Sequence, residues 1–198
     1  IMKIIKIKLD KISKEQIKLI SNSLKKGEVV VLPTDTIYGL SCVANSKKAI
    51  SKIRCIKNIL DNRPFLILVS SLTMAKKYCQ INQIQKNFLS KIWPGPVTVI
   101  FNSKNKLLQK STSKIISLAV RLPKNNFLIK IIKKINQPLV STSLNLSGQK
   151  PLASLSGLNK YFKKHQPDLV IDAGKIKKKK PSKIYDIRDI NNIKIIRK

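Results

Sequence analysis

Short apolar runs rich in valine and isoleucine alternate with stretches of helical periodicity along nearly the whole chain, and that alternation restricts the fold more than any other feature. Isoleucine and lysine alternate over residues 1–10, the period of a half-buried strand, and no signal-peptide apolar block stands there. Ser13 with Gln16 is a capping-box signature, opening a helix that closes at Gly27. Residues 28–32 then read as a buried strand, and Ser46 caps a second helix with Ile50, Ile53 and Ile56 on one face. The pattern continues with a strand over 65–69 and helices over 71–78 and 82–91. Trp93-Pro94-Gly95-Pro96 is a hard break. Strands over 97–101 and 115–122, a helix over 126–135 and a loop entered over 138–141 come next. A helix over 156–164 and strands over 169–172, 183–187 and 193–197 complete the series. Several links are too short for the crossover that parallel neighbours require. The expectation is one α/β domain spanning 1–198, built on a mixed sheet.

Composition limits the chemistry. No apolar run approaches the ~20 residues of a membrane helix. Cys42, Cys55 and Cys79 lack C-x-x-C spacing, which argues against a disulfide framework or zinc ribbon and for a reducing cytoplasm. His165 is the only histidine, and the nine carboxylates are scattered. A multi-histidine metal site and a glycosidase-type carboxylate pair are both disfavoured. Lysine plus arginine total 41, for a formal net charge of +32. Arginine stands only at Arg54, Arg63, Arg121, Arg188 and Arg197, so 41 − 5 leaves 36 lysines. Lysine, isoleucine and asparagine share AT-rich codons, so most of these lysines read as solvated surface. Their summed field still attracts an anionic partner such as RNA or a nucleotide.

Three segments place unusual residues at strand or helix ends. Thr34, Asp35, Thr36 and Tyr38 crowd a turn after the strand ending at Leu32, where α/β sheets tend to bind ligands; an ordinary turn with local backbone bonds explains them equally well. Ser141, Thr142, Ser143, Asn145 and Ser147 suit phosphate oxygens or a ribose, or simply cap the next element. Lys57 and Arg63 flank a helix end, where they can hold phosphates or complement the helix dipole. Neither a GxxxxGK[ST] loop nor a GxGxxG turn is present.

Taken in order, PTDTIYGL at 33–40, the segment 57–64, WPGPVTVIF at 93–101, SLAVRLP at 117–123, PLVSTSLNLSG at 138–148 and PSKIYD at 181–186 form one set. It resembles the YrdC-like family of threonylcarbamoyl-AMP synthases in its short bacterial form, from about residue 13 to Arg197. The resemblance implies a twisted mixed β-sheet flanked by helices, with a concave basic cleft. It implies nucleotidyl transfer: L-threonine, bicarbonate and ATP give threonylcarbamoyl-adenylate and pyrophosphate. The adenylate feeds modification of the adenosine next to the anticodon of certain tRNAs, by way of threonylcarbamoyl-transfer proteins. No tightly bound cofactor is implied, and Mg²⁺ arrives with ATP on phosphate oxygens and water, without side-chain ligands.

Carried over by position, Thr36, Arg121 and Ser182 are threonine or carbamate contacts, with Arg121 able to grip a carboxylate bidentately. Lys57, Arg63, Ser117, Ser143, Asn145 and Arg197 fall on the ATP side, and Lys57 and Arg121 are the catalytic cations. Tyr38 either walls the substrate pocket or is a core tyrosine. The family's K-x-R-P pattern is broken: Lys57-Asn58-Ile59-Leu60 places isoleucine where a phosphate-binding arginine usually stands. Lys183 likewise replaces a usual threonine. A non-catalytic RNA-binding factor is the competing expectation. The 5% aromatic content offers little for base stacking, which leaves the enzyme ahead.

Overall fold

The structure, a computed structural model, describes residues 2–61, 64–104, 116–152, 154–162, 164–176 and 181–198. Arg63, Ile115 and the lysine run 177–180 lie outside the described residues. The elements run β1 (Lys3–Lys6), a 3-10 turn (Leu9–Lys11), α1 (Lys14–Lys25), β2 (Val30–Leu32), β3 (Gly39–Val43), α2 (Lys47–Lys57), β4 (Ile67–Leu68), α3 (Leu72–Tyr78) and α4 (Gln83–Ile92). Then come β5 (Val97–Asn102), β6 (Ser117–Arg121), α5 (Asn126–Ile135), β7 (Leu139–Ser143), α6 (Leu158–Tyr161), β8 (Leu169–Asp172), β9 (Lys183–Asp186) and β10 (Lys194–Arg197). All the strands join one sheet in the order β1-β8-β2-β3-β7-β4-β6-β5-β9-β10. It is mixed, as the short links require: β8 lies parallel to β1 and β2, while β3 is antiparallel to both β2 and β7.

Local chemistry sets the helix ends. The Ser13–Gln16 capping box opens α1, and the Ser46 hydroxyl accepts from Ala49 N to open α2. Asn58 and Asn136 close α2 and α5 with φ of 54° and 53°, a left-handed conformation that asparagine adopts more readily than most residues. The face of α5 formed by Phe127, Leu128, Ile131, Ile132 and Ile135 is buried, and α5 packs on α1. After α4, the Trp93 indole donates to Val97 O at 2.8 Å, closing the break into β5. A Cβ at Gly95 would come within 2.6 Å of Ile92 O, so only glycine fits there.

Two expectations need correction. The chain expected to enter a loop over 138–141 instead runs into β7 from Leu139, and β3 is a central strand that the hydrophobic pattern gives no hint of. Their pairs are Gly39 with Ser143, Leu40 with Thr142, Ser41 with Ser141, Cys42 with Val140 and Val43 with Leu139. Glycine and hydroxyl residues at the sheet centre erase the apolar signature that marks a buried strand. The strand expected over 65–69 also contracts to β4, whose short span pairs with β6 and β7.

Register divides the sheet into two unlike faces. Leu40, Cys42, Val140, Ile67, Leu118, Val120, Val99 and Phe101 share one face and are all buried. On that face α4 and its exit contribute edge-to-face contacts, Phe88 with Tyr185 and Trp93 with Phe101. The opposite face carries Gly39, Ser141, Ser143, Ala119, Arg121, Thr98, Ile184 and Arg197 in one band across seven neighbouring strand positions of the order above. Small side chains in the middle of that band leave the sheet uncovered there. No helix among the described residues is long and apolar enough to cross a membrane.

Candidate active site

The small-residue band floors a cleft of about 540 Å³, within the range of small-molecule sites. Thr34, Thr36, Tyr38, Thr98, Arg121, Ser143, Ser182 and Arg197 all contribute to its lining, and no described lining residue carries a carboxylate. Two arginines without a lining carboxylate make the cleft suited to an anion.

Arg121 ends β6 and is 4% exposed. Its Nη2 donates to Asp35, and Thr36 Oγ1 lies 3.4 and 3.5 Å from its two terminal nitrogens. The second Asp35 oxygen accepts from Lys124 N at 3.3 Å, tying the segment after β6 to the turn after β2. Burial pulls the Arg121 guanidinium down and Asp35 opposes it; arginine keeps its charge throughout. Its Nε–H is buried and has no hydrogen-bond partner among the described residues. Within the turn, Thr34 Oγ1 accepts from Thr36 N at 3.1 Å and Ile37 N at 3.2 Å, which fixes the backbone from which Thr36 projects.

On the opposite wall, Arg197 Nε donates to Ser182 O at 2.8 Å and Nη2 to Ser182 Oγ at 3.1 Å. Ser182 Oγ in turn lies 2.8 Å from Thr98 Oγ1. Burial lowers the Arg197 guanidinium, and the positive field of Arg121 lowers it further. The two arginines therefore act on the same space, and an anion between them relieves their repulsion.

Lys57 closes α2, is buried and lies outside this lining. Its Nζ donates to Ser143 O at 2.8 Å, Asn145 O at 2.9 Å and Asn145 Oδ1 at 2.7 Å. Asn145 Oδ1 also accepts from Ser143 Oγ at 2.6 Å, and Asn145 Nδ2 donates to Gln149 O. The three ammonium protons are thus engaged on the loop after β7. Burial pulls the Lys57 ammonium down to about 8. With a folded value below the unfolded 10.5, the unfolded chain binds more protons between the two, so this group's contribution to stability rises from about pH 8 to 10.5. A ¹³Cε titration of Lys57 is expected to show its midpoint near 8; a midpoint at the ordinary lysine value contradicts the buried placement.

A match to the Sua5/YciO/YrdC family, described as "Telomere recombination", covers residues 22–198. A threonylcarbamoyl-AMP synthase of Buchnera aphidicola is 34% identical over 168 residues, spanning 83% of this chain and 94% of that protein. The chain belongs to the Sua5/YciO/YrdC family. E. coli YciO has the same fold, with a TM-score of 0.83 at 24% identity over 100% of this chain and 94% of that one. P. abyssi Sua5 superposes with a TM-score of 0.88 at 23% identity, and here this chain covers only 60% of the larger protein.

Within that family frame, the structure gathers Thr36, Tyr38, Arg121, Ser143, Ser182 and Arg197 at one cleft. Lys57 and Asn145 stand behind it, holding the loop that carries Ser143. Tyr38 serves both expectations: it borders the cleft, yet it is 1% exposed and its hydroxyl donates to Gly174 O and accepts from Ala173 N. Ser117 starts β6, four residues and roughly 13 Å of strand before Arg121, and is outside the cleft lining. Arg63 lies outside the described residues. Ile59 is half-buried in a separate hollow with Cys55, Ile56, Leu146 and Phe162. Lys183 is exposed beside the cleft, in a hollow shared with Thr36, Lys124 and Lys198. Sequence reasoning missed Thr98 and the part Asp35 plays in clamping Arg121. A threonine interrupting the apolar run of β5 was the available signal for Thr98.

Proposed function

We propose that the protein is a cytoplasmic L-threonylcarbamoyladenylate synthase, a nucleotidyltransferase that joins L-threonine, bicarbonate and ATP and releases pyrophosphate. The observation that carries this reading is Arg121: a buried guanidinium held by Asp35 beside Thr36, in a cleft with no carboxylate among its described lining residues. A substrate carboxylate in the cleft can pair with this guanidinium and the neighbouring Thr36 hydroxyl, and such a charge-assisted bond is worth ~1.5–3 kcal/mol. P. abyssi Sua5, which shares the fold, has been solved in complex with L-threonine.

The chemistry asks little covalent work of the protein. The threonine amine and bicarbonate combine with loss of water into a carbamate, whose oxygen attacks the α-phosphorus in line as the bond to the β-phosphate oxygen breaks. Arg121 and Thr36 orient the amino acid, while Arg197, anchored through Ser182 and Thr98, faces the charge that develops on phosphoryl and leaving oxygens. No group of three His, Cys, Asp or Glu suited to a metal stands among the described residues. Mg²⁺ would come with ATP, held mainly by phosphate oxygens and water. Transfer proteins then move the threonylcarbamoyl group from the adenylate to tRNA with release of AMP, and the net charge of +32 favours encounter with that polyanion. A purely RNA-binding role has less support, since Tyr38 is buried and Arg54 already stacks on the Phe65 ring.

Pyrophosphate release tests the reading. It is expected to require ATP, threonine and bicarbonate together; release that is indifferent to threonine contradicts the proposal.

A further inference from the structure

The hydrogen bonds around Ser143 leave its hydroxyl only one polarity. An ammonium has donors and no acceptor, so the Asn145 atom 2.7 Å from Lys57 Nζ is the amide oxygen. Asn145 Nδ2 on Gln149 O agrees with that orientation. Facing an oxygen that can only accept, Ser143 Oγ at 2.6 Å must donate its single proton to it. Ser143 lines the cleft, and what remains to it there is lone-pair density. The loop is held in this state from several sides: Ser147 N donates to Lys57 O at 2.8 Å, and Leu146 N donates to the Tyr161 hydroxyl at 3.0 Å.

We infer that Ser143 is an acceptor subsite, taking a hydrogen bond from a hydroxyl or N–H of the ligand rather than giving one to a phosphate. A phosphate oxygen set against it meets lone pairs on both sides, whereas a ribose hydroxyl, or the hydroxyl or amine of an amino acid, is complementary. Asn145 fixes the direction of the Ser143 proton, and Lys57 fixes Asn145; both are positioning residues. ATP and threonine are chosen as probes because of the function proposed above, but the positioning claim does not depend on it.

Calorimetry on the full chain separates the alternatives. Ser143→Ala is expected to leave the affinity for inorganic triphosphate unchanged and to weaken either ATP or L-threonine about tenfold, the value of one hydrogen bond. The source of the donor then follows: the loss disappears with 2′-deoxy- or 3′-deoxy-ATP if it is a ribose hydroxyl, and with L-2-aminobutyrate if it is the threonine hydroxyl. A loss that persists across these analogues assigns the donor to an N–H. Asn145→Ala frees the Ser143 proton to turn into the cleft and is expected to tighten triphosphate binding. Weaker triphosphate binding in Ser143→Ala, or unaltered binding of both ATP and threonine, overturns the acceptor assignment. Without any ligand, Lys57→Met is expected to speed amide hydrogen exchange over residues 143–149, and unchanged exchange overturns the positioning role. Absence of ATP and threonine binding to the unaltered protein defeats the proposed function, while the exchange arm still decides whether Lys57 holds the loop.

Discussion

Arg121→Ala is expected to lower threonine affinity by roughly 10- to 150-fold and to destabilise the fold in the same variant. The binding loss follows from one charge-assisted contact of ~1.5–3 kcal/mol. The stability loss has a different origin. Arg121 and Asp35 are an ion pair with both side chains at least nine-tenths buried, 5% and 7% exposed. Removing one partner of such a pair leaves an uncompensated charge in the interior, at a cost of ~3–5 kcal/mol. The double variant Asp35→Ala with Arg121→Ala removes both charges, so it is expected to recover much of the melting temperature without recovering threonine binding. Denaturant melts and calorimetric titrations of the two variants separate these effects. Unchanged threonine affinity in Arg121→Ala removes it from the substrate site.

Gly39→Val is expected to abolish ligand binding with a smaller stability loss, ~1–3 kcal/mol from overpacking. Gly39 lies in the small-residue band, and even a Cβ there meets Ser141 Oγ at 3.0 Å and Thr142 O at 3.2 Å. One of those contacts is with backbone in the neighbouring central strand, so the side chain has nowhere to move except into the cleft. Its branches then occupy the floor between the turn carrying Thr36 and the strand carrying Ser143. Threonine and ATP affinities near those of the unaltered protein place the ligands elsewhere.

The same glycine shows where sequence reasoning stops. The Ser13–Gln16 capping box, the Ser46 cap and the helical spacing of Ile50, Ile53 and Ile56 announce themselves because each is a local device, decided within a few residues. β3 and β7 do not, because their residues are chosen for what the sheet face must leave open. Gly39, Ser41, Ser141 and Ser143 sit at the centre of the sheet and look like loop residues until the register is known. Much of the site was legible for a different reason: Thr36, Arg121, Ser182 and Arg197 stand inside or just beyond motifs that occur in a fixed order, and the fold does bring them to one cleft. Motif order could not show that Lys57 and Asn145 bond one another within the loop after β7. That depends on where the α2 C-terminus meets the loop after β7, a contact between residues 86 and 88 positions apart. Nor does the missing arginine at position 59 read as a simple gap in the cleft, since Ile59 borders a separate hollow with Leu146, Phe162 and His165.

The proposed reaction is tested most directly by mass analysis of the product formed from ATP, L-threonine and ¹³C-bicarbonate. The expected product is an adenylate carrying both the threonyl moiety and the ¹³C label, formed in step with pyrophosphate and lost in the Arg121→Ala variant. ATP turnover that yields only unlabelled adenine nucleotides, or no turnover with all three substrates present, contradicts the synthase assignment.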